Sequence, residues 1–167
     1  MTERAKRREQ ESKAFEELMM YQDKVFLICL GFSKNATDAE DLAQEVYLKA
    51  YRKIGSLKEL RFAKLWLLRI TRNTCLDYRK KQRIKPMFQP LDTETSIENN
   101  TPESKMIFQE QVGLLKKAIQ RLPKKLKEVF ILREYGDLSY EEIAATLEIK
   151  EGTIMSRLNR ARQALLS

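Results

Sequence analysis

Three of the four prolines in this chain, Pro86, Pro90 and Pro102, fall close together and divide it into two parts. The segment that holds them, residues 86–104, is polar and lacks apolar periodicity, so it cannot bury enough surface to offset the entropy lost on ordering. Glycine and proline are scarce overall, while Leu, Glu, Lys, Arg and Ala are abundant, which favours helices over an all-β fold. The sequence therefore predicts an all-α protein, with two small helical domains joined by a flexible linker.

Helical periodicity sets the limits of these parts. We expect, in chain order, a basic N-terminal extension (1–13), an N-terminal helical domain (14–85), the linker (86–113) and a C-terminal domain (114–167). In the N-terminal domain, residues 14–30 place apolar side chains near one side of a helix. Thr37 and Glu40 have capping-box spacing at the start of a second helix, whose apolar residues recur every four positions from Leu42. A third helix covers roughly residues 61–83.

Positive charge is concentrated at the end of the N-terminal domain. The net charge of the chain is +8, and residues 49–85 hold 13 basic but only two acidic side chains. Such a local excess indicates a polyanionic partner, in particular nucleic acid. Trp66 lies among these cations, as a residue that stacks on single-stranded DNA would, but its spacing from Leu67 and Ile70 favours a core position.

The second helix carries polar side chains away from its apolar stripe. These are Asp38, Glu40, Asp41, Gln44 and Glu45. One interpretation is a solvated face whose first acids interact favourably with the helix dipole. The other is a docking face for a basic protein partner. Composition alone favours the solvated face.

Several absences narrow the chemistry. The chain has no histidine, which removes His-based catalytic triads, His metal ligands and the usual general base at neutral pH. Cys29 and Cys75 lie inside apolar segments and outside any Cys-x-x-Cys pair, so we expect buried, reduced thiols. The longest apolar run, Val25–Phe32, is far too short to span a membrane. We therefore expect a cytoplasmic protein that is not an enzyme, needs no cofactor or metal and does not insert into a membrane.

The end of the chain has the pattern of a helix-turn-helix. Pro123 suits the first turn of one helix, and Ser139 with Glu142 forms a capping box at the start of the next. A short break precedes a last helix that begins near Gly152. The outward positions of this helix carry hydrogen-bond donors suited to phosphates and base edges in a DNA major groove. This part of the sequence predicts duplex DNA binding.

Three motifs in register resemble the extracytoplasmic-function (ECF) sigma factors of the sigma-70 family. DAEDLAQE at residues 38–45 resembles regions 2.1–2.2, and WLLRITRN at residues 66–73 resembles regions 2.3–2.4. LSYEEIA at residues 138–144 and GTIMSRLNRAR at residues 152–162 resemble region 4. The resemblance covers both predicted domains, in the family's order.

This resemblance implies an alternative sigma factor, which brings bacterial RNA polymerase core to promoter DNA. It implies that the clamp helices of the largest polymerase subunit contact Asp38, Asp41, Gln44 and Glu45. It assigns the binding of minus-10 DNA to the loop at 55–63 and the helix that follows it. The residues in question are Arg61, Lys64, Arg69, Arg72, Asn73, Arg79 and Lys80. It assigns minus-35 DNA to Thr153, Met155, Ser156, Arg157, Asn159 and Arg160. The family also implies an anti-sigma factor as a further partner.

The chain departs from the family pattern at three positions. Met155 stands where a basic residue is frequent, and Ala63 where an aromatic residue is usual, with Phe62 one position earlier. Glu148 stands where the turn often has glycine, so a left-handed backbone there would cost Glu about 1 kcal/mol relative to glycine.

Other functions are compatible with parts of the sequence. An autonomous helix-turn-helix regulator that never joins polymerase explains the C-terminal domain but gives no role to the acidic face or the basic helix. A helical interaction protein that holds an acidic partner predicts DNA binding without sequence preference. An enzyme acting on nucleic acid is the weakest alternative, because no paired-carboxylate metal site is evident.

Overall fold

A computed structural model describes residues 1–84 and 102–167, and within these ranges it contains only helices and loops. The α-helices are α1 (Glu3–Met19), α2 (Gln22–Phe32), α3 (Ala36–Lys53), α4 (Ala63–Ile84), α5 (Pro102–Arg121), α6 (Lys124–Glu134), α7 (Tyr140–Leu147) and α8 (Glu151–Leu166). Two short 3₁₀ turns, Ile54–Ser56 and Leu60–Phe62, lie between α3 and α4. The all-α prediction is confirmed.

Helices α1 to α4 form the N-terminal domain. The four-residue stripe on α3 is buried as expected, with Leu42, Val46 and Ala50 almost inaccessible to solvent. The Tyr47 hydroxyl donates a hydrogen bond to the Leu18 carbonyl oxygen over 2.9 Å, which ties α3 to the end of α1. α4 closes the domain by packing on both α2 and α3.

Two local predictions for this domain are wrong. The side chain of Asn35, rather than Thr37, caps α3, because its Oδ1 accepts a hydrogen bond from the Asp38 amide over 2.8 Å. Residues 14–30 do not form one helix, since α1 ends at Met19 and α2 begins at Gln22. Most of the predicted N-terminal extension, residues 1–13, lies in the first part of α1.

Helices α5 to α8 form the C-terminal domain, and its helix-turn-helix prediction is confirmed. The capping box at the start of α7 is complete: Ser139 Oγ accepts from the Glu142 amide over 3.1 Å, and Glu142 Oε2 accepts from the Ser139 amide over 2.9 Å. The turn before α8 passes through Glu148, whose φ of 57° is left-handed. The backbone there has the conformation for which glycine is preferred.

Part of the predicted linker is helical. α5 begins at Pro102, so residues 102–113 form its first turns. Proline is tolerated at the start of a helix because its missing N–H would have no intrahelical partner there. The remainder of the predicted linker, residues 86–101, lies outside the described residues.

The two domains pack directly against each other. One continuous apolar core joins Ile28 and Phe32 of α2 to Ile131 and Leu132 of α6. The side chain of Ile131 packs directly on the backbone of Gly31, where an added Cβ would lie 2.6 Å from Ile131 Cγ2. The molecule is therefore closed, with the C-terminal domain seated on α2 and α4.

Candidate nucleic-acid and partner interfaces

Four cations of α4 contact the C-terminal domain. Lys64 Nζ donates a hydrogen bond to Glu142 Oε1. One turn further along, Arg69 Nη2 donates to the Ala145 carbonyl oxygen over 2.9 Å and lies 3.4 Å from Glu148 Oε1. The pKa of Glu142 is below its usual value: burial alone would raise it, but hydrogen bonds from Lys64 and from the Ser139 amide outweigh burial.

The same contact continues towards the end of α4. Arg72 Nη2 donates to Glu128 Oε1 over 3.1 Å, and Glu128 is only 4% exposed. Arg79 donates to the Gln120 side chain, whose Nε2 donates to the Gly31 carbonyl oxygen over 3.2 Å. Four of the residues expected to bind minus-10 DNA therefore contact the C-terminal domain in this structure.

The other three candidates for minus-10 DNA are exposed to solvent. Arg61 pairs with Glu59 over 2.6 Å, and its guanidinium lies 4.7 Å from the centre of the Phe62 ring. The side chain of Asn73 is exposed, with its Oδ1 accepting from Arg72 Nη1 over 3.3 Å. Lys80 is also exposed. These side chains are accessible, and two of them adjoin the contact: Asn73 bonds to Arg72, and Lys80 lines a small cavity with Arg79 and Glu128.

The loop before α4 exposes apolar side chains beside an open cleft. Leu60 and Phe62 are 51% and 47% exposed. The cleft, about 460 Å³ in volume, lies between this loop and α1 and is lined in part by Arg7 and Lys58. Trp66 is half-buried and packs against the core, which confirms its structural interpretation.

The acidic face of α3 is open to solvent. Asp41, Gln44 and Glu45 are exposed, and Glu45 pairs with Lys49 on the same helix over 3.3 Å. Leu48 is 55% exposed on this face, one turn after Gln44. Sequence reasoning missed Leu48, although its position off the core stripe and seven residues after Asp41 was a usable signal.

Asp38 differs from the rest of that set. Its carboxylate is half-buried and accepts a hydrogen bond from the Tyr78 hydroxyl over 3.0 Å. Burial, reinforced by this hydrogen bond, raises the pKa of Tyr78 to about 12. Lys116 of α5 also lies close enough to interact with Asp38, although burial lowers the pKa of Lys116 overall. Asp38 therefore ties α3 to α4 and is less accessible than Asp41 or Glu45.

α8 presents its polar face outwards. Ile154, Leu158 and Ala161 are buried against the domain, which leaves the opposite side free. The exposed candidates for minus-35 DNA are Met155, Ser156, Asn159 and Arg160. The partly exposed ones are Thr153 and Arg157. All six lie on one helix and remain accessible in the closed molecule.

The two thiols are packed in the core. Cys29 Sγ and Cys75 Sγ lie 3.9 Å apart, and both residues are fully buried and reduced. Burial raises the pKa of Cys75, so its thiol stays protonated and is a poor nucleophile. The prediction of buried thiols is confirmed. In the described ranges no group of three or more His, Cys, Asp or Glu side chains could hold a metal ion, and no helix could cross a bilayer.

Comparison with known proteins identifies the family to which this chain belongs. The family model for sigma-70 region 2 matches residues 18–84, and the model for sigma-70 region 4 matches residues 113–165. The chain is 34% identical to the ECF RNA polymerase sigma-E factor of Escherichia coli, over 93% of this chain and 86% of that protein. It belongs to the ECF sigma factors of the sigma-70 family. This sigma factor is also 32% identical to the RNA polymerase sigma-H factor of Pseudomonas aeruginosa, over 93% of this chain and 86% of that one.

Solved structures agree with the fold. The sigma factor RpoE of Bartonella quintana, solved in complex with the anti-sigma factor NepR, matches with a TM-score of 0.68 and 27% identity, over 90% of this chain and 92% of that one. CnrH, solved in complex with the cytosolic domain of CnrY, matches with a TM-score of 0.66 over 95% and 93% of the two chains. At 20% identity, the second match shows the fold alone.

Membership confirms the resemblance seen in the sequence. The chain is an alternative sigma factor that directs transcription initiation, and its partners are RNA polymerase core and promoter DNA. Its family is not normally one of enzymes. The N-terminal domain contains region 2, and the C-terminal domain contains region 4.

Proposed function

We propose that the exposed face of α3 docks this sigma factor on the clamp helices of the largest polymerase subunit. Asp41, Gln44 and Glu45 supply polar contacts around Leu48, an apolar centre with a polar rim that is typical of protein interfaces. Asp38 contributes by holding α3 against α4 through Tyr78. The observation that carries this proposal is that this face stays exposed although the domains are closed on each other.

Region 2 binds and opens the minus-10 element in this proposal. Phosphate contacts come from the α4 cations together with Arg61 and Lys80, while Asn73 offers an amide to bases. Exposed Phe62 and Leu60 offer apolar contacts to unstacked bases. Capture of single-stranded bases would supply the free energy of strand opening without ATP hydrolysis.

Region 4 binds the minus-35 element through the exposed face of α8. Arg160→Ala is expected to reduce minus-35 affinity or specificity by about 1–3 kcal/mol if this residue reads bases. Arg162→Ala is a matched control, because Arg162 already pairs with Glu134 over 2.9 Å. Binding to duplexes with permuted minus-35 sequences distinguishes a residue that reads bases from one that contacts phosphates. A uniform loss across sequences would make Arg160 a phosphate contact instead.

Two further features complete the proposed role of this chain. An anti-sigma factor binds it and holds it inactive, a partner of the class with which the 27% identical RpoE was solved. The chain acts in the cytoplasm, where polymerase and promoters are found. We keep the assignment of region 2 to residues 14–85 and of region 4 to residues 114–167, while α1 extends the first domain back to Glu3 and α5 begins at Pro102, inside the predicted linker (86–113).

Reconstituted transcription tests the proposal as a whole. Purified core polymerase, this protein and fragmented host genomic DNA are combined, and RNA 5′ ends are mapped. We expect start sites that appear only with the protein, each preceded by the same two sequence elements. If an active polymerase gives no new start sites with either the wild type or a variant whose two domains are held apart, the proposed promoter contacts are wrong.

A further inference from the structure

The closed structure pairs oppositely charged surfaces from the two domains. Three carboxylates from separate parts of the C-terminal domain converge on the basic face of α4. Glu128 comes from α6, Glu142 from α7, and Glu148 from the turn before α8; we call these three the acid triplet. Their partners on α4 are Arg72 for Glu128, Lys64 for Glu142 and Arg69 for Glu148.

These contacts are partly shielded from water. The side chain of Glu128 is 6% exposed and that of Arg72 is 29% exposed, whereas Arg69 and Glu148 are 44% and 75% exposed. Desolvation of a buried pair offsets much of its Coulomb attraction, so such pairs fix a geometry more than they stabilise it. The charged contacts therefore specify how the domains meet without holding them irreversibly.

Apolar contact accompanies the charged one. Gly31 has no side chain, which lets Ile131 and Tyr135 of the C-terminal domain approach α2. At Gly136, an added Cβ would lie 2.9 Å from Ile28 Cγ1 of the N-terminal domain. A glycine on each side of the contact thus permits the close approach on which the charge pairing depends.

The closed contact covers one functional surface and spares two. The α3 face and the outward side of α8 remain exposed, while the basic face of α4 is occupied. Carboxylates in the acid triplet bind the cations that would otherwise bind phosphates. The two ligands cannot use Lys64, Arg69 and Arg72 at the same time.

We propose that region 4 of this chain is an intramolecular competitor of DNA for region 2, with the acid triplet occupying the phosphate-binding cations of α4. This proposal rests on the assignment of minus-10 DNA to α4. The closed molecule is competent to dock through α3 but not to hold melted minus-10 DNA. Access to that DNA requires the C-terminal domain to move off α2 and α4.

The test separates the two domains of the 167-residue chain in two independent ways. Glu128→Gln/Glu142→Gln/Glu148→Gln removes the three charges while keeping side-chain size. Gly31→Leu changes no charge but wedges the domains apart at Ile131. Small-angle X-ray scattering measures opening, since a compact chain of this length has a radius of gyration of about 15 Å and separated domains increase it. Fluorescence anisotropy measures affinity for a short single-stranded DNA of mixed sequence.

Both variants are expected to increase the radius of gyration and to tighten DNA binding about tenfold, because the competent fraction of molecules increases. Glu16→Gln/Glu103→Gln/Glu110→Gln is the charge control: these acids are outside the contact. Gly113→Ala is the control for Gly31, since a Cβ there meets nothing within 4 Å. Neither control should change the radius of gyration, and the charge control should gain less DNA affinity than the acid-triplet variant.

The outcomes distinguish competition between region 4 and DNA from a general effect of net charge on DNA binding. They also separate a failure of this competition from a failure of the proposed function. An unchanged radius of gyration in both opened variants, or opening without tighter DNA binding, overturns the competition. Equal gains in affinity by the acid-triplet variant and its charge control also overturn it. Opening with tighter DNA binding supports the competition, even if the opened variants fail to initiate transcription, a result that would contradict the promoter assignments instead.

Discussion

The two charged faces of region 2 are in opposite states. On α3, Asp41 and Glu45 surround an exposed Leu48, and no contact with the described part of the C-terminal domain covers them. On α4, Lys64 and Arg72 are already bound by carboxylates of the C-terminal domain. A charged surface is therefore available to a partner only if the rest of the chain leaves it uncovered.

The two helices are built alike, which makes the difference informative. Each buries an apolar stripe, containing Leu42 and Val46 on α3 and Leu67 and Cys75 on α4. Each carries charge on its other faces. What separates them is their position relative to α6 and α7. If α3 docks polymerase and α4 binds minus-10 DNA, as we propose, this packing predicts that polymerase can bind before promoter DNA.

A disulfide that locks the two domains together should have the largest effect on the α4 face. In a Gly31→Cys/Ile131→Cys variant the two sulfurs are close enough to bridge, because an added Cβ at residue 31 lies 2.6 Å from Ile131 Cγ2. We expect oxidation to reduce transcription initiation by on the order of 100-fold, since almost none of the locked molecules can open to bind minus-10 DNA. Polymerase binding through α3 should survive, as measured by co-elution with core enzyme.

The reduced form of the same variant is its own control. Addition of reductant should restore initiation, which excludes damage from replacing the buried Ile131. Full initiation by the oxidised protein would show that the closed contact does not block promoter opening. Loss of polymerase binding on oxidation would show instead that α3 is not sufficient for docking.

Charge reversal on α3 tests the other side of the comparison. Asp41→Lys/Glu45→Lys should weaken binding to core polymerase about tenfold, because it places cations against a basic partner at an interface rim. DNA binding by the C-terminal domain should be unchanged. Titration of labelled core enzyme measures the affinity for polymerase, and fluorescence anisotropy with duplex DNA measures DNA binding.

The matched control reverses two acids outside that face, Glu16→Lys/Glu103→Lys. An equal loss of polymerase affinity in both variants would mean that net charge, rather than the α3 face, controls docking. Unchanged affinity in the α3 variant would exclude the docking face.

Much of the fold was predictable because it depends on local chemistry. Helix periodicity, the Ser139–Glu142 capping box and the packing of Trp66 against the core each follow from residues within a few positions of one another. The cap of α3 was mispredicted because Asn35 and Thr37 both suit an N-cap and both precede an acid by three residues. The start of α5 was missed because Pro102 was interpreted as a linker residue, although proline followed by an acid also fits a helix start.

The closed contact could not be predicted from one sequence. Lys64 and Glu142 are 78 residues apart, and each looks locally like a solvated surface residue. Complementarity between the acid triplet and α4 depends on how four helices are placed, which periodicity does not encode. For the same reason the candidate DNA residues were identified by type, but their division into occupied and accessible groups required the structure.

The smallest expected effect concerns Glu148, which takes part in both the fold and the contact. Its left-handed backbone costs about 1 kcal/mol relative to glycine, while its pair with Arg69 is largely exposed and weak. Glu148→Gly should therefore raise the thermal midpoint by about 2–4 °C. It should also slightly tighten single-stranded DNA binding, because Arg69 loses its carboxylate partner although it keeps its hydrogen bond to the Ala145 carbonyl oxygen. Glu148→Ala removes the same pair but keeps the strain, so it should share the DNA effect without the gain in stability. Equal melting temperatures for the two variants, measured by calorimetry, would mean that the turn stores no strain. Equal DNA affinity in both variants and the wild type would mean that the Glu148 carboxylate does not compete with DNA for Arg69.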